Sequence, residues 1–432
     1  MKSANQSAVI PRPGWLPALL LIAAAIAFVI PVGFVETLPV FTWAAWASLA
    51  AGSILTLIVL SRTSGHSSYV VLGLFVLLIA FNTIVAPGPV FAAMFLPFLV
   101  GLGVAAAIQN PSRLFLVCLI ALVASLLLDQ VAGAHVVSNF FGVPFQIRYA
   151  EDILRARGFI GQPVPAAMIA VYLGAMSLGA PSGDSRRPAL TRVLILALVT
   201  VALILTGTRT AVLLLIILVL IIWLTSRREG PIRVSPYVVL ATITTAVVLL
   251  IAWSSLAPAL AGSRAFDFAG LSGSVSLDNR NSVVDVWTAW LADCRGTCVA
   301  FGLGWTNLQA TLRQSLSSYG LSTVDNLYMS ILWDFGVLGL VLLCVIAVAA
   351  IVAIVKKAPA GSAARMGAIG SLAIIASGAS YDSLYIRPVM MIFGFSVYFL
   401  TRSVSEMRSR DAIKRLDGGQ FVTRFEERGL IR

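Results

Sequence analysis

Four short stretches of this chain set charges against hydrocarbon. In LTGTRTAVLLL, residues 205–215, Arg209 opens an almost unbroken apolar run. In RARGFIGQPVPA, residues 155–166, Arg155 and Arg157 come before Pro163 and Pro165, and proline suits the first turn of a helix. In STVDNLYMSILWDFGVLGL, residues 322–340, Asp325, Asn326 and Tyr328 head an apolar run that has Asp334 inside it. In ASYDSLYIRPVMM, residues 379–391, Asp382 and Arg387 share a short polar turn. Arginine keeps its charge and grips phosphate oxygens through a planar fork. Helix N-termini present unpaired N–H groups and partial positive charge, so an arginine there is unfavourable until an anion joins it. Arg209 beside Gly207, and Arg155 and Arg157 ahead of Pro163, therefore read as candidate phosphate cradles, with Thr206 or Thr208 able to cap the helix that Arg209 opens. Plainer alternatives exist: Arg209 snorkelling to an interface or paired with Asp334 or Asp382, and Arg155 and Arg157 in an ordinary charged loop. Asp325 or Asn326 is placed to cap a helix, and Tyr328 to be an interfacial aromatic. Asp334 lies about 13 Å further along that helix, at ~1.5 Å per residue. An acid at that depth is functional or ion-paired by default. Asp382 and Arg387 can satisfy each other.

The elements that carry these groups follow from composition. The chain has 432 residues, 59% hydrophobic and 11% charged, with a net charge of +12. A soluble domain has roughly 25% charged residues. Long apolar stretches recur, so the expected fold is an all-α polytopic integral membrane protein. We expect about twelve transmembrane helices, near 14–32, 38–60, 68–86, 88–108, 113–131, 163–180, 192–206, 209–226, 235–256, 327–353, 365–381 and 385–401. The first run resembles a signal peptide but fits the topology better as an uncleaved span. With the N-terminus in the cytoplasm, most basic residues and all the lysines fall inside. Outside remain Arg148, Arg155, Arg157, Arg209, Arg264, Arg280, Arg295, Arg313 and Arg387, all arginines. Residues 1–401 then form one transmembrane domain with external loops 132–162 and 257–326, and 402–432 form a charged cytoplasmic tail. The larger loop is expected to contain short helices, over NSVVDVWTAWLA and TNLQATLRQSLSSYG.

Cys294 and Cys298 lie in that loop, spaced DCRGTC. Too few ligands surround them for a zinc site, which leaves a local disulfide on an oxidising face or a pair of free thiols. Cys118 and Cys344 fall within spans, as packing residues. His66 and His135 are the chain's histidines, which makes a histidine metal site or hydrolytic triad a poor fit. No Walker or dinucleotide motif is present, and nothing points to nucleic acid or to a cofactor.

At these residues the chain resembles the bacterial O-antigen ligase and O-antigen polymerase family. The likeness is carried, in order, by RARGFIGQP, LTGTRTAVLLL, VVDVWTAWL, FGLGW and DNLYMSILWDFGVLGL, over roughly residues 150–345. It implies glycan transfer at the outer face of the bacterial cytoplasmic membrane, without metal or nucleotide. The donor would be a glycan on undecaprenyl diphosphate. The partners would be that donor, a glycan acceptor, the bilayer and, as a candidate, a chain-length regulator. Carried over by position, Arg157 and Arg209 would contact the diphosphate, with Arg280 as a third. Family members commonly have Asn-Pro-Asn where this chain has Gln162, Pro163 and Val164. Ligases typically have a histidine where it has Thr323, Val324 and Asp325, a departure that favours a polymerase or a related exopolysaccharide enzyme. The transfer chemistry needs a carboxylate base for the acceptor hydroxyl; Asp325 is the candidate, with Asp278 and Asp285 behind it. Arg155, Arg280, Asn326, Tyr328, Asp334 and Arg387 are candidate substrate-binding residues. Two other classes compete: a flippase or transporter of lipid-linked sugar, and a non-catalytic scaffold.

Overall fold

A computed structural model describes residues 14–30, 38–63, 73, 94–108, 111–141, 155–179, 188–226, 288, 292, 294, 296–304, 326–355 and 362–401. Among the described residues the secondary structure is helical, with no strand. The helices are α1 (Trp15–Val29), α2 (Pro39–Thr63), α3 (Leu96–Ala107), α4 (Pro111–Ala132), α5 (Val136–Phe140), α6 (Pro163–Gly179), α7 (Pro188–Thr206) and α8 (Arg209–Ser226). They continue with α9 (Thr297–Phe301), α10 (Leu327–Val355), α11 (Ala363–Ser377) and α12 (Arg387–Thr401). The stretches Pro39–Ser61, Pro111–Ala132 and Leu327–Val355 are long and apolar enough to cross a bilayer. The apolar parts of α1, α3, α6, α7, α8, α11 and α12 are shorter, at 10–17 residues. The chain is thus a helical membrane protein. The expected spans 68–86 and 235–256, most of the loop 257–326 and the tail 402–432 lie outside the described residues.

The middle of the bundle is α6. Its sequence, PVPAAMIAVYLGAMSLG, has no polar stripe, and it is buried on nearly every side. A helix apolar all round belongs in the interior, and α6 packs against α4, α7, α8 and α11. Small residues bring backbones close, as expected where lipid removes most of the hydrophobic drive for association. A Cβ built on Gly101 of α3 would lie 2.0 Å from Met391 O of α12, and one on Gly394 would lie 2.1 Å from Phe98 O. The two helices therefore touch backbone to backbone at reciprocal glycines. By contrast α10 exposes Val337, Leu338, Val341, Val345, Val348 and Ile351. A continuous apolar face of that kind suits hydrocarbon rather than water.

Inter-element hydrogen bonds sort the helix ends into two sets. At one end Ala156 N donates to Leu205 O (3.0 Å), Leu38 N to Phe141 O (3.1 Å) and Leu327 N to Gly378 O (2.8 Å). At the other, Ser362 caps α11 by accepting from Arg365 N, and Arg365 Nη2 reaches Ile222 O of α8 at 3.3 Å. Arg155, Arg157, Arg209 and Arg387 all belong to the first set.

Candidate functional site

The arginine loop is shaped by a carboxylate that the sequence reading did not single out. Asp129, fully buried in the last turn of α4, accepts from Arg157 N (3.1 Å) and Gly158 N (2.8 Å) through Oδ2. Its Oδ1 accepts from Val137 N (3.2 Å), and His135 Nδ1 lies 3.9 Å from Oδ2. Gly158 has φ +54°, and a Cβ there would stand 2.3 Å from Ser125 Oγ, the atom that accepts from Phe159 N. The chain then turns through Gly158–Ile160 and Gly161 (φ +83°) into α6. An acid in the final turn of an apolar span was the signal that could have exposed Asp129.

The loop is strapped to the α7–α8 turn. Besides the Ala156–Leu205 backbone bond, Arg155 Nε donates to Thr206 O (2.9 Å) and Nη2 to Thr208 Oγ1 (3.4 Å). A cation at the C-terminal end of α7 meets the negative end of its dipole. Gly207 makes the turn with φ +60°. Thr206 Oγ1 donates back to Ala202 O at 2.8 Å and Thr208 Oγ1 to Thr206 O at 3.4 Å, so both hydroxyl protons are used around the turn. Arg157 and Arg209, both half-buried, thus sit on two segments hydrogen-bonded to each other.

The acidic side is built on α10, α11 and the turn before α12. Asn326 caps α10, its Oδ1 accepting from Tyr328 N (3.0 Å) and Met329 N (3.2 Å). Asp325, the residue before it, lies outside the described residues, as do Arg280, Asp278 and Asp285. Tyr328 donates to Ile375 O at 2.6 Å. Ser330 Oγ donates to Asp382 Oδ2, and Tyr385 donates to Asp334 Oδ2. Burial, and then the nearby Asp334 and Asp382, push the Tyr385 hydroxyl well above its ordinary range, so it remains the donor. The expected mutual pairing of Asp382 and Arg387 does not form. Asp382 instead bonds Ser330, and the Arg387 guanidinium lies 5.0 Å from the centre of the Trp46 ring. Tyr381 Oη donates to Gln162 Oε1 at 3.0 Å, which joins this cluster to the arginine loop at the head of α6.

A helix break completes the region. Gly336 interrupts α10 with φ 64° and ψ −162°. The break frees the carbonyls of Trp333 and Asp334, and Leu303 N (2.8 Å) and Gly304 N (3.2 Å) satisfy them. A Cβ on Gly302 would meet Asp334 C at 2.4 Å, and one on Gly336 would meet Ala300 C at 2.5 Å. Residues 301–304, FGLG, are therefore a backbone plug for the broken helix. Just ahead of it Cys294 and Cys298 are joined in a disulfide, Cα–Cα 5.7 Å. Among the described residues no group of three or more His, Cys, Asp or Glu is placed to hold a metal ion.

An apolar helical bundle with arginines, hydroxyls and acids drawn to one end is a membrane protein with a polar site at its helix termini. Residues 194–344, from α7 into α10, match the family model described as O-antigen ligase, and this supports assignment to the O-antigen ligase and polymerase family. The matched range includes Arg209, the plug and Asp334, and leaves out Arg157 and Arg387. No curated protein matches the chain.

Proposed function

We propose that the chain is a glycosyltransferase of the outer face of the bacterial inner membrane, acting on glycan repeats carried by undecaprenyl diphosphate. The family match implies ligase- or polymerase-type glycan transfer. The observation that carries the finer reading is the pairing of segments 155–157 and 205–209, which sets Arg157 and Arg209 at one end of the bundle. In the reaction an acceptor hydroxyl oxygen bonds to the donor's anomeric carbon. The bond from that carbon to the diphosphate oxygen breaks, the diphosphate leaves with the electron pair, and the hydroxyl proton passes to a carboxylate. Arg157 and Arg209 hold the diphosphate and neutralise its growing charge. Arg280 is a third cation from the external loop, and Asp325 is the base. Asn326 and Tyr328 fix the head of α10 beside Asp325, Arg155 ties the two arginine segments together, and Asp334 holds Tyr385 next to Asp382. Thr323, Val324 and Asp325 stand where a ligase would have histidine, which favours polymerisation onto a second lipid-linked glycan. A chain-length regulator has no support in the match or the geometry.

The test is incubation of the purified chain with a synthetic lipid-diphosphate repeat and mass analysis of the products. Wild type should lengthen the glycan and release undecaprenyl diphosphate, while Arg157→Ala and Arg209→Ala should not. Equal lengthening by both variants would overturn the reading. The break in α10 is an observation that favours the flippase alternative, since broken helices mark transporter sites. That alternative gains if the chain moves labelled lipid across liposomes without lengthening its glycan.

A further inference from the structure

Arg387 differs from the arginines around α6 to α8. It is 4% exposed, and its Nη1 has no hydrogen-bond partner. The acids of the neighbouring cluster bond other groups through Oδ2, Asp382 to Ser330 and Asp334 to Tyr385, and the Oδ1 of each makes no hydrogen bond to the guanidinium. What it does meet is the ring of Trp46 on α2. A guanidinium cannot discard its proton, and a ring face satisfies none of its five N–H donors in plane. Arg387 is also the first residue of α12, where the N–H groups of Arg387 and Val389 have no partner within the helix and Pro388 has none to offer. Side chains on a helix lean toward its N-terminus, so this arginine reaches over that same opening. Fixed positive charge, helix-end donors and burial together call for an anion.

Depth argues which anion. On α2, Trp43 is 74% exposed and Val40 66% exposed, and the half-buried Trp46 follows within one turn. Tryptophans near a helix start, on an apolar outer surface, mark the headgroup layer. An anion at that level is a phosphate carried by a lipid. We infer that Arg387, the first turn of α12 and Trp46 form a second lipid-phosphate site, separate from the one at Arg157 and Arg209. Resting on the transferase reading above, its occupant is the carrier phosphate of the acceptor glycan, because a polymerase must hold two lipid-linked chains at once. A bilayer phospholipid offers the same chemistry.

Binding of undecaprenyl diphosphate and of phosphatidylglycerol to the purified full chain, counted by native mass spectrometry, tests this. Wild type should retain a phosphate lipid that Arg387→Gln binds about tenfold more weakly and that Arg209→Ala still holds. If undecaprenyl diphosphate shows this dependence and phosphatidylglycerol does not, the acceptor's carrier is the occupant. If phosphatidylglycerol shows it, the site stands and its occupant is a bilayer lipid. Should Arg387→Gln not fold, Arg387→Lys serves, and its lipid-induced rise in melting temperature should be less than half the wild-type rise. Wild-type stoichiometry and affinity for both lipids in the folded Arg387 variant would overturn the site. Lengthening of the glycan by wild type with no Arg387-dependent binding defeats the second site alone. Arg387-dependent binding without any lengthening defeats the transferase reading alone.

Discussion

Two junctions at the same end of the bundle solve opposite problems. The arginine loop before α6 has spare backbone N–H groups, and a buried carboxylate, Asp129, takes two of them and a third from Val137 of α5. The broken α10 has spare carbonyls, and the backbone N–H groups of Leu303 and Gly304 take two. One junction depends on a side chain, the other on the lack of any. The first holds arginine side chains clear of their own backbone's needs, and the second fixes the depth of an acid-bearing helix. They should therefore fail differently, the plug through added bulk and the loop through lost charge.

The largest effect is expected at the plug. Gly302 and Gly336 have positive φ and face backbone atoms of the opposite segment at under 3 Å from a built Cβ. Gly302→Ala or Gly336→Ala should destabilise the protein by about 3 kcal/mol or more, through overpacking and backbone strain. Both substitutions damage one contact, so the double variant should be little worse than either single one. Unfolding in detergent, followed by tryptophan fluorescence, measures this. Full additivity would mean that the glycines do not share a contact.

Next is Asp129→Asn. It keeps the size of the side chain but replaces one accepting oxygen with a donor that faces N–H groups. Leaving buried donors unmatched costs roughly 1–3 kcal/mol. Glycan lengthening should fall as far as in Arg157→Ala, since the loop that presents Arg157 loses its anchor. A variant with normal turnover and melting temperature would separate Asp129 from the site.

Asp129 also marks where the sequence stops being legible. The head of α6 could be read from Pro163 and Pro165, and the start of α8 from Arg209 after Gly207, because proline, glycine and charge act locally. Asn326 was one of two capping candidates for α10, again a local matter. Asp129 reads as an ordinary helix-end acid until its partners, which lie in the following loops, are known. Gly336 reads as a packing glycine until Gly302 is found against it. Both are contacts between distant parts of the chain, and neither helical periodicity nor composition records them. Asp382 and Arg387 were close enough in sequence to suggest a pair, but the turn sends one toward Ser330 and the other toward Trp46.

A smaller effect is expected from Arg155→Lys. Arg155 uses two nitrogens of its fork on the α7–α8 turn. A lysine retains the charge at the end of α7 but cannot reproduce the Nε bond to Thr206 O together with the contact to Thr208. Stability should drop by about 1 kcal/mol, and turnover should fall only as the two segments loosen. Thermal unfolding beside the glycan assay separates these.

The smallest change in stability is expected from Arg209→Lys, and it discriminates best between the uses of arginine at this end of the bundle. Arg209 is half-buried at the head of α8, and the substitution keeps the sign of the charge. Folding should be altered by no more than about 0.5 kcal/mol, because the charge is kept at a position that remains partly open to water. A diphosphate held bidentately would still notice, because a point charge cannot replace a planar fork. Turnover should therefore fall about tenfold while the melting temperature stays put. Arg155→Lys should show the reverse, with stability moving more than turnover. If the two variants behave alike, the arginines are all straps and the phosphate site must be sought elsewhere. If they part as expected, the two hydrogen-bonded segments divide the work, Arg155 as the strap that positions the site and Arg209 as a cation that does its chemistry.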